Sequence, residues 1–295
     1  MEANTASRTA EYMAFYRAME SARPRNKRLF TDPFAIHFLQ PWLRRAVTLS
    51  RIPYLGTAIA WYADRRAPGA RTSAIARTRL IDDIVSEALR QGMRQVVILG
   101  AGFDCRIYRL LGMSSVTAFE VDHPATVAAK RSRLRTLIAP LPPNAHFVEI
   151  DFSRQSLAEV LQLAGFDSGR STVFIWEGVT NYLTADAVDA VLRYVASCAD
   201  GSRVVFTYVH RGALDGSGRF ADASKIVNNV ARLGEPWTLG LIPEELPSYL
   251  GDRGLRLDLD DDARRYRSTY FGKTAESMDG YDFYHVAVAS VPARN

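Results

Sequence analysis

The chain has 295 residues, 47% apolar and 23% charged, with a formal net charge of +5. That length buries a large core, as one α/β domain or one domain with a cap. The basic residues, nearly all arginine, are scattered, which argues against a nucleic-acid partner and leaves an anionic small molecule as the milder implication. Cys105 and Cys198 make neither a disulfide framework nor a metal-ligand spacing, so a reducing, cytoplasmic setting is expected. No apolar stretch reaches the ~18 residues of a membrane span and the start lacks a secretory core, so no membrane partner is expected. Oligomeric state is left open.

Residues 1–92 read as a helical cap. Thr9 to Glu20 carries Tyr12, Phe15, Tyr16 and Met19 at helical spacing. Asp32-Pro33 opens a short helix to Leu39. Trp42 to Ala63 is amphipathic, broken at Pro53 and Gly56, and Ala74 to Gln91 is a long helix with one apolar side. Tyr12, Phe15, Tyr16, Trp61 and Tyr62 suggest an aromatic acceptor pocket beneath the cap.

From Gln95 the pattern alternates. Strands are expected at 96–100, 116–121, 145–150, 172–177 and 202–208, with helices at about 104–111, 123–138, 154–164 and 184–198. That alternation predicts an α/β, doubly wound, Rossmann-like parallel sheet over 93–209. Residues 210–242 read as a lid insertion containing a helix at about 219–233. Residues 243–295 return to the sheet with a helix at 243–250 and strands at 256–259 and 283–290. Their hairpin-like joining suggests an antiparallel edge strand.

The first strand breaks at Gly100-Ala-Gly102, where the backbone turns tightly and a ligand can press against it. Position 105 is cysteine where a dinucleotide fingerprint wants a third glycine. About 20 residues on, Glu120 and Asp122 close the second strand, the spacing at which a carboxylate meets ribose hydroxyls. The third strand ends in Asp151-Phe152, suited to an adenine amine and ring face. The fourth ends in Glu177, which suits an ammonium, followed by Asn181 and Tyr182 as candidates for the reacting centre. No metal-ligand cluster is visible. A nicotinamide oxidoreductase would want the third glycine and a Tyr–Lys pair, and neither is present.

Together, DPFA (32–35), RTRLIDD (77–83), VVILGAGFDCRIYRL (96–110), FEVDHP (119–124), VEIDF (148–152), WEGVTNYL (176–183), LGEPW (233–237), RYR (265–267) and DFYHVAVA (282–289) resemble the leucine carboxyl methyltransferase-like family. The resemblance implies a class I methyltransferase sheet and S-adenosylmethionine as cofactor. It implies that Gly100 and Gly102 pass the methionine part and that Asp122 takes the ribose. It further places Asp151 and Phe152 at the adenine, Arg77 at the methionine carboxylate and Glu177 at the ammonium or sulfonium. Glu120 reads as an alternative structural acid, and Lys27 or Arg28 as a weaker match to a basic residue near the start.

The reaction implied is methyl transfer to an oxygen of a small metabolite in natural-product metabolism, a carboxylate first and a phenol or hydroxyl next. A protein C-terminal carboxylate and a non-catalytic cofactor-binding role are the alternatives. A carboxylate is already ionised at neutral pH, whereas a phenol needs a base. His210, after the fifth strand, is the candidate to orient or deprotonate the acceptor, with Tyr208, Arg211, Arg265, Arg267 and Tyr270 as further acceptor-side groups.

Overall fold

The computed structural model describes residues 8–151, 154–220, 223–232 and 234–294. Seven strands form one sheet: β1 (Gln95–Leu99), β2 (Thr117–Asp122), β3 (Ala145–Glu149), β4 (Thr172–Trp176), β5 (Arg203–Val209), β6 (Arg256–Asp262) and β7 (Tyr284–Ser290). Their order is β3-β2-β1-β4-β5-β7-β6. The first five are parallel, and β7 pairs antiparallel with both β5 and β6. All five β1 residues are buried, as the apolar run 96–99 covered on both faces should be, with Gln95 satisfied by the Asp167 carbonyl and the Thr172 hydroxyl. The direction of winding reverses between β1 and β4, and a crevice opens beyond the carboxyl ends of such strands.

Eleven α-helices lie within the described residues: α1 (Arg8–Ala22), α2 (Pro41–Leu49), α3 (Pro53–Arg66), α4 (Ala70–Arg90), α5 (Arg106–Arg109), α6 (Pro124–Leu137), α7 (Leu157–Leu163), α8 (Ala185–Ser197), α9 (Ala223–Arg232), α10 (Leu246–Gly251) and α11 (Ala263–Phe271). Side chains alternate across the sheet. Val97, Phe119, Phe174 and Phe206 pack with α7, α8 and α10. Val96, Ala118, Ile175 and Val205 face the other way, onto Ile81 and Val85 of α4 and Tyr266 of α11. Each buried Val, Ile or Phe side chain among these contributes about 1.5–3 kcal/mol against exposure. A third cluster joins Phe15, Phe38, Leu43 and Val47 of the cap to Phe103 and Cys105 after the glycine turn. The Phe38 and Phe103 rings stack at 4.7 Å, so the cap is seated directly on that turn.

Prolines 41, 53 and 124 occupy first-turn positions of α2, α3 and α6, where a missing N–H costs nothing. Three expectations change. The glycine turn leads into only one helical turn, α5. Strand β6 runs on to Asp262, because its acids find partners: Asp260 Oδ2 accepts from the Tyr208 hydroxyl at 2.8 Å. The last two strands are joined not by a hairpin but by α11, started by Asp262 accepting from the Arg265 N–H at 2.7 Å.

Candidate functional site

A cavity of about 1630 Å³ opens over the carboxyl ends of β1, β2 and β4 and runs beneath the cap. Gly100 and Gly102 lie in its floor, both with left-handed φ (+64° and +43°), a conformation that favours glycine. A Cβ on Gly100 would meet Val179 Cγ2 at 2.5 Å, so the turn also needs the missing side chain for packing. Asp122 ties the turn to β2. Its Oδ2 accepts the Gly102 N–H and its Oδ1 accepts the His123 N–H, each at 2.6 Å. Burial pushes its carboxyl up and those two N–H groups oppose the rise.

The polar end of the cavity rests on a buried ionic chain. Arg17 donates from Nε to Asp32 at 3.0 Å and from Nη2 to the Phe103 carbonyl at 2.6 Å. Arg109 stands 3.8 Å from Asp32 and donates to Asp82 at 2.6 Å. Arg106 binds Asp82 at 2.8 Å, Asp104 at 2.5 Å and Glu177 Oε2 at 2.8 Å. Arg77 closes the chain on Glu177 Oε1 at 2.8 Å. Four guanidiniums (17, 77, 106, 109) thus meet four carboxylates (32, 82, 104, 177), a neutral set, which is the condition for burying charge tolerably. Burial alone would raise the Glu177 carboxyl; Arg106 and Arg77 overrule it and hold it at about 2. Asp104 is likewise held at about 2 by Arg106, Lys130 and Arg17 against the burial effect.

Of the expected cofactor residues, Arg77, Gly100, Gly102, Asp122, Asp151 and Glu177 all line this one cavity. Phe152 lies outside the described residues. Arg77 and Glu177 are partners of one another rather than two separate ligand holders. Beyond its Nε, Arg77 makes a 3.5 Å contact from Nη2 to the Met13 thioether and lies 4.7 Å over the Tyr284 ring, and it lines the cavity. Glu120 is not on the wall: Lys130 donates to it at 2.8 Å and the Tyr108 hydroxyl at 3.2 Å, a structural role. Arg28 donates to the Ser21 carbonyl, and neither Lys27 nor Arg28 lines the cavity; the basic residue near the start that does is Arg17. Sequence reasoning missed it because Arg17 sits among the aromatic residues of α1, with nothing local to mark it.

On the acceptor side, Tyr182 lines the cavity, with its hydroxyl pushed up to about 12 by burial and by Tyr284. Asn181 does not line it. It is buried, its side-chain oxygen accepts the Tyr284 hydroxyl proton at 3.4 Å, and its carbonyl accepts the Thr238 N–H at 2.7 Å, so it anchors the loop at Thr238. His210 is also behind the wall. Its Nδ1 accepts the Gly212 N–H at 2.9 Å, its ring packs on Phe220, and burial with Arg219 lowers its pKa. The turn cap occupies Nδ1, Nε2 has no partner among the described residues, and the ring does not line the cavity, so an orienting or base role for His210 is unsupported by the geometry. Tyr208, Arg211, Arg265, Arg267 and Tyr270 also stand off the cavity, whereas Tyr12, Phe15, Tyr16 and Tyr62 line it as expected and Trp61 does not. Among the described residues no group of three His, Cys, Asp or Glu is placed to hold a metal ion.

These residues fit S-adenosylmethionine. Guanidiniums and carboxylates converge at one end, as an amino-acid zwitterion needs, and Asp122 and Asp151 stand at the neighbouring strand ends. The cavity is long enough to leave an aromatic compartment beyond them.

Comparison with known proteins agrees. Residues 10–196 match the model of the family described as leucine carboxyl methyltransferase. A Frankia alni protein, provisionally named an S-adenosyl-L-methionine-dependent methyltransferase, is 38% identical over 208 residues, 70% of each chain. A Streptomyces coelicolor protein of the same description is 36% identical over 214 residues, 72% of this chain and 71% of its own. A Thermobifida fusca crystal structure named for a methyltransferase has the same fold, with TM-score 0.61, 19% identity, and 95% and 94% of the two chains covered. By this match and these relatives, the chain belongs to the leucine carboxyl methyltransferase family of S-adenosylmethionine-dependent methyltransferases.

Proposed function

We propose that this chain methylates a carboxylate oxygen of a small, anionic, partly aromatic metabolite, as a step of natural-product metabolism. The observation that carries the reading is the division of the cavity: a charge-balanced floor at the strand ends, and an aromatic wall under the cap that His210 does not line. When bound, the cofactor supplies a methyl group already activated on its sulfonium. The chain's own part is then positioning and the exclusion of water, and positioning of this kind supplies ~7–11 kcal/mol. Arg77 and Arg17 would hold the methionine carboxylate, Glu177 and Asp104 its ammonium, and Asp122 and Asp151 the adenosine. Tyr182, protonated at neutral pH, would donate its hydroxyl proton to an acceptor oxygen and fix its direction; it would not take a proton from it. A nucleophile ionised without help therefore suits the site better than a phenol. The family's description, naming a leucine carboxyl group, also supports a carboxyl acceptor.

The test has two stages. Calorimetric titration with S-adenosylhomocysteine should show one site. Radiolabelled methyl transfer to a panel of small carboxylic acids and phenols should then give label that mild alkali releases as methanol, because methyl esters hydrolyse and aryl ethers do not. Alkali-stable label would move the acceptor to a hydroxyl. Label appearing only on an added protein would favour the C-terminal carboxylate, and cofactor binding without transfer to any acceptor would sink the catalytic reading.

A further inference from the structure

Helix α3 is unusual in this fold: none of its described residues is buried. Of the ten large apolar side chains exposed among the described residues, seven fall between 42 and 62, on α2, α3 and the three residues joining them. Trp42, Leu49, Ile52, Tyr54, Trp61 and Tyr62 are each 48–90% exposed. Scattered apolar residues on a surface need no explanation, but a cluster of this size marks a docking face.

The charge of the same segment says what docks. From 33 to 63 the chain has no Asp or Glu, and Arg44, Arg45, Arg51, Arg65 and Arg66 are all exposed. The one acid of the hairpin, Asp64, is taken by a two-pronged contact from Arg71 at 2.9 and 2.6 Å. A second copy of this chain is a poor occupant, because a two-fold contact sets the same patch against itself and would oppose five guanidiniums, none with an acid partner among the described residues, to five more. Arginines around tryptophan and tyrosine match an anionic lipid surface, where aromatic rings lie at the headgroup level and each cation adds attraction. Helix α3 is too short to cross a bilayer, and no described helix is long and apolar enough to do so. Lying in the interface requires no such length, so the expectation of no membrane partner, which rested on the missing span, does not cover this case.

We propose that the α2–α3 hairpin seats the protein on an anionic lipid surface, with the mouth of the cavity opening onto the bilayer. Trp42, Leu55, Tyr62, Arg65 and Arg66 belong both to the exposed patch and to the cavity wall, so mouth and patch are continuous. An acceptor with a lipophilic body then enters from the lipid, along the aromatic wall, with its polar end toward the strand tips. This route for the acceptor rests on the methyl-transfer reading; the docking itself does not.

The test is co-sedimentation of the full chain with phosphatidylcholine vesicles and with vesicles that also contain phosphatidylglycerol. Binding to the second kind alone, weakened by salt and accompanied by a blue shift of tryptophan emission, is expected. Tyr54→Ser, Trp61→Ser and Arg51→Glu alter exposed side chains outside the cavity wall, and each should lower partitioning by about tenfold or more. Their melting temperature and S-adenosylhomocysteine affinity should match the parent's, which shows fold and site intact. A folded, cofactor-binding parent that ignores anionic vesicles overturns the proposal. So do variants that bind vesicles as the parent does, or a dimer that these variants dissolve. Vesicle binding without cofactor binding would uphold the docking and defeat only the methyl-transfer reading.

Discussion

Arg106 and Glu177 lie 71 residues apart in sequence, and the Nη1 of the one donates to the Oε2 of the other at 2.8 Å. Arg106 is 2% exposed, and its three other anchors (Asp82, Asp104 and the Thr78 carbonyl) come from α4 and the glycine turn. This one guanidinium therefore fixes the turn after β1, the end of β4 and helix α4 relative to each other.

Glu177→Gln keeps the shape and removes the charge that two arginines face. Breaking a buried pair on one side costs about 3–5 kcal/mol, because the remaining charge is left without its counterion. Thermal melting should fall accordingly, and titration with S-adenosylhomocysteine should show weakened binding. A variant with parental melting would show that the Arg77–Glu177–Arg106 contact contributes nothing to the fold.

The same carboxylate sets an acid limit. Glu177 and Asp104 are held at about 2, below their ordinary values of 4.5 and 3.8. A depressed folded-state value means the folded form binds the proton more weakly than the unfolded one. The stability they confer is full above about pH 4.5 and is lost as pH falls toward 2. Melting temperature against pH should drop through that window, and the drop should be shallower in Glu177→Gln.

Gly100→Ala brings two separable penalties. The backbone is held at φ +64°, costing of order 1–3 kcal/mol for a residue with a side chain, and the new Cβ collides with Val179. Adding Val179→Ala should restore the steric part alone, so the double variant should melt above Gly100→Ala but below Val179→Ala. Full recovery would show that the left-handed backbone is not demanding.

His210→Ala removes a cap acceptor from the short turn at 211–213, worth about 0.5–2 kcal/mol. Stability should drop by that order, while S-adenosylhomocysteine affinity and turnover, once an acceptor is found, should hold. Loss of turnover with unchanged melting would return His210 to the chemistry.

Tyr182→Phe should leave cofactor affinity unchanged and impair the acceptor step. With the hydroxyl at about 12, the parent's pH–rate profile should show no tyrosine ionisation near neutrality. A rate that rises with a pKa near 7 and loses that feature in Tyr182→Phe would make it a base after all.

The strands were legible because an apolar run that must fill a two-sided core has few alternatives: β1 to β5 lie within a residue or so of their expected places. The glycine turn and the acids after β2 and β3 were legible as cavity residues because glycines and acids at the ends of buried strands are local marks in the sequence. Helix α11 was not, since its arginine-rich run shows no apolar period, and only Asp262 and the contact of Tyr266 with the sheet define it. Asn181 and His210 were expected at the cavity and do not line it, for a related reason. A polar residue just past a buried strand points either into the crevice or back into the protein, and sequence spacing does not say which. By itself, the sequence determined the sheet, its nucleotide-binding end and the family, because each depends on short-range order of residue types. Only the tertiary structure decided that Arg17, Asp82, Arg106 and Glu177 form one neutral chain, and that α3 lies bare. Charge compensation and exposure depend on which distant segments meet, and no local pattern carries that.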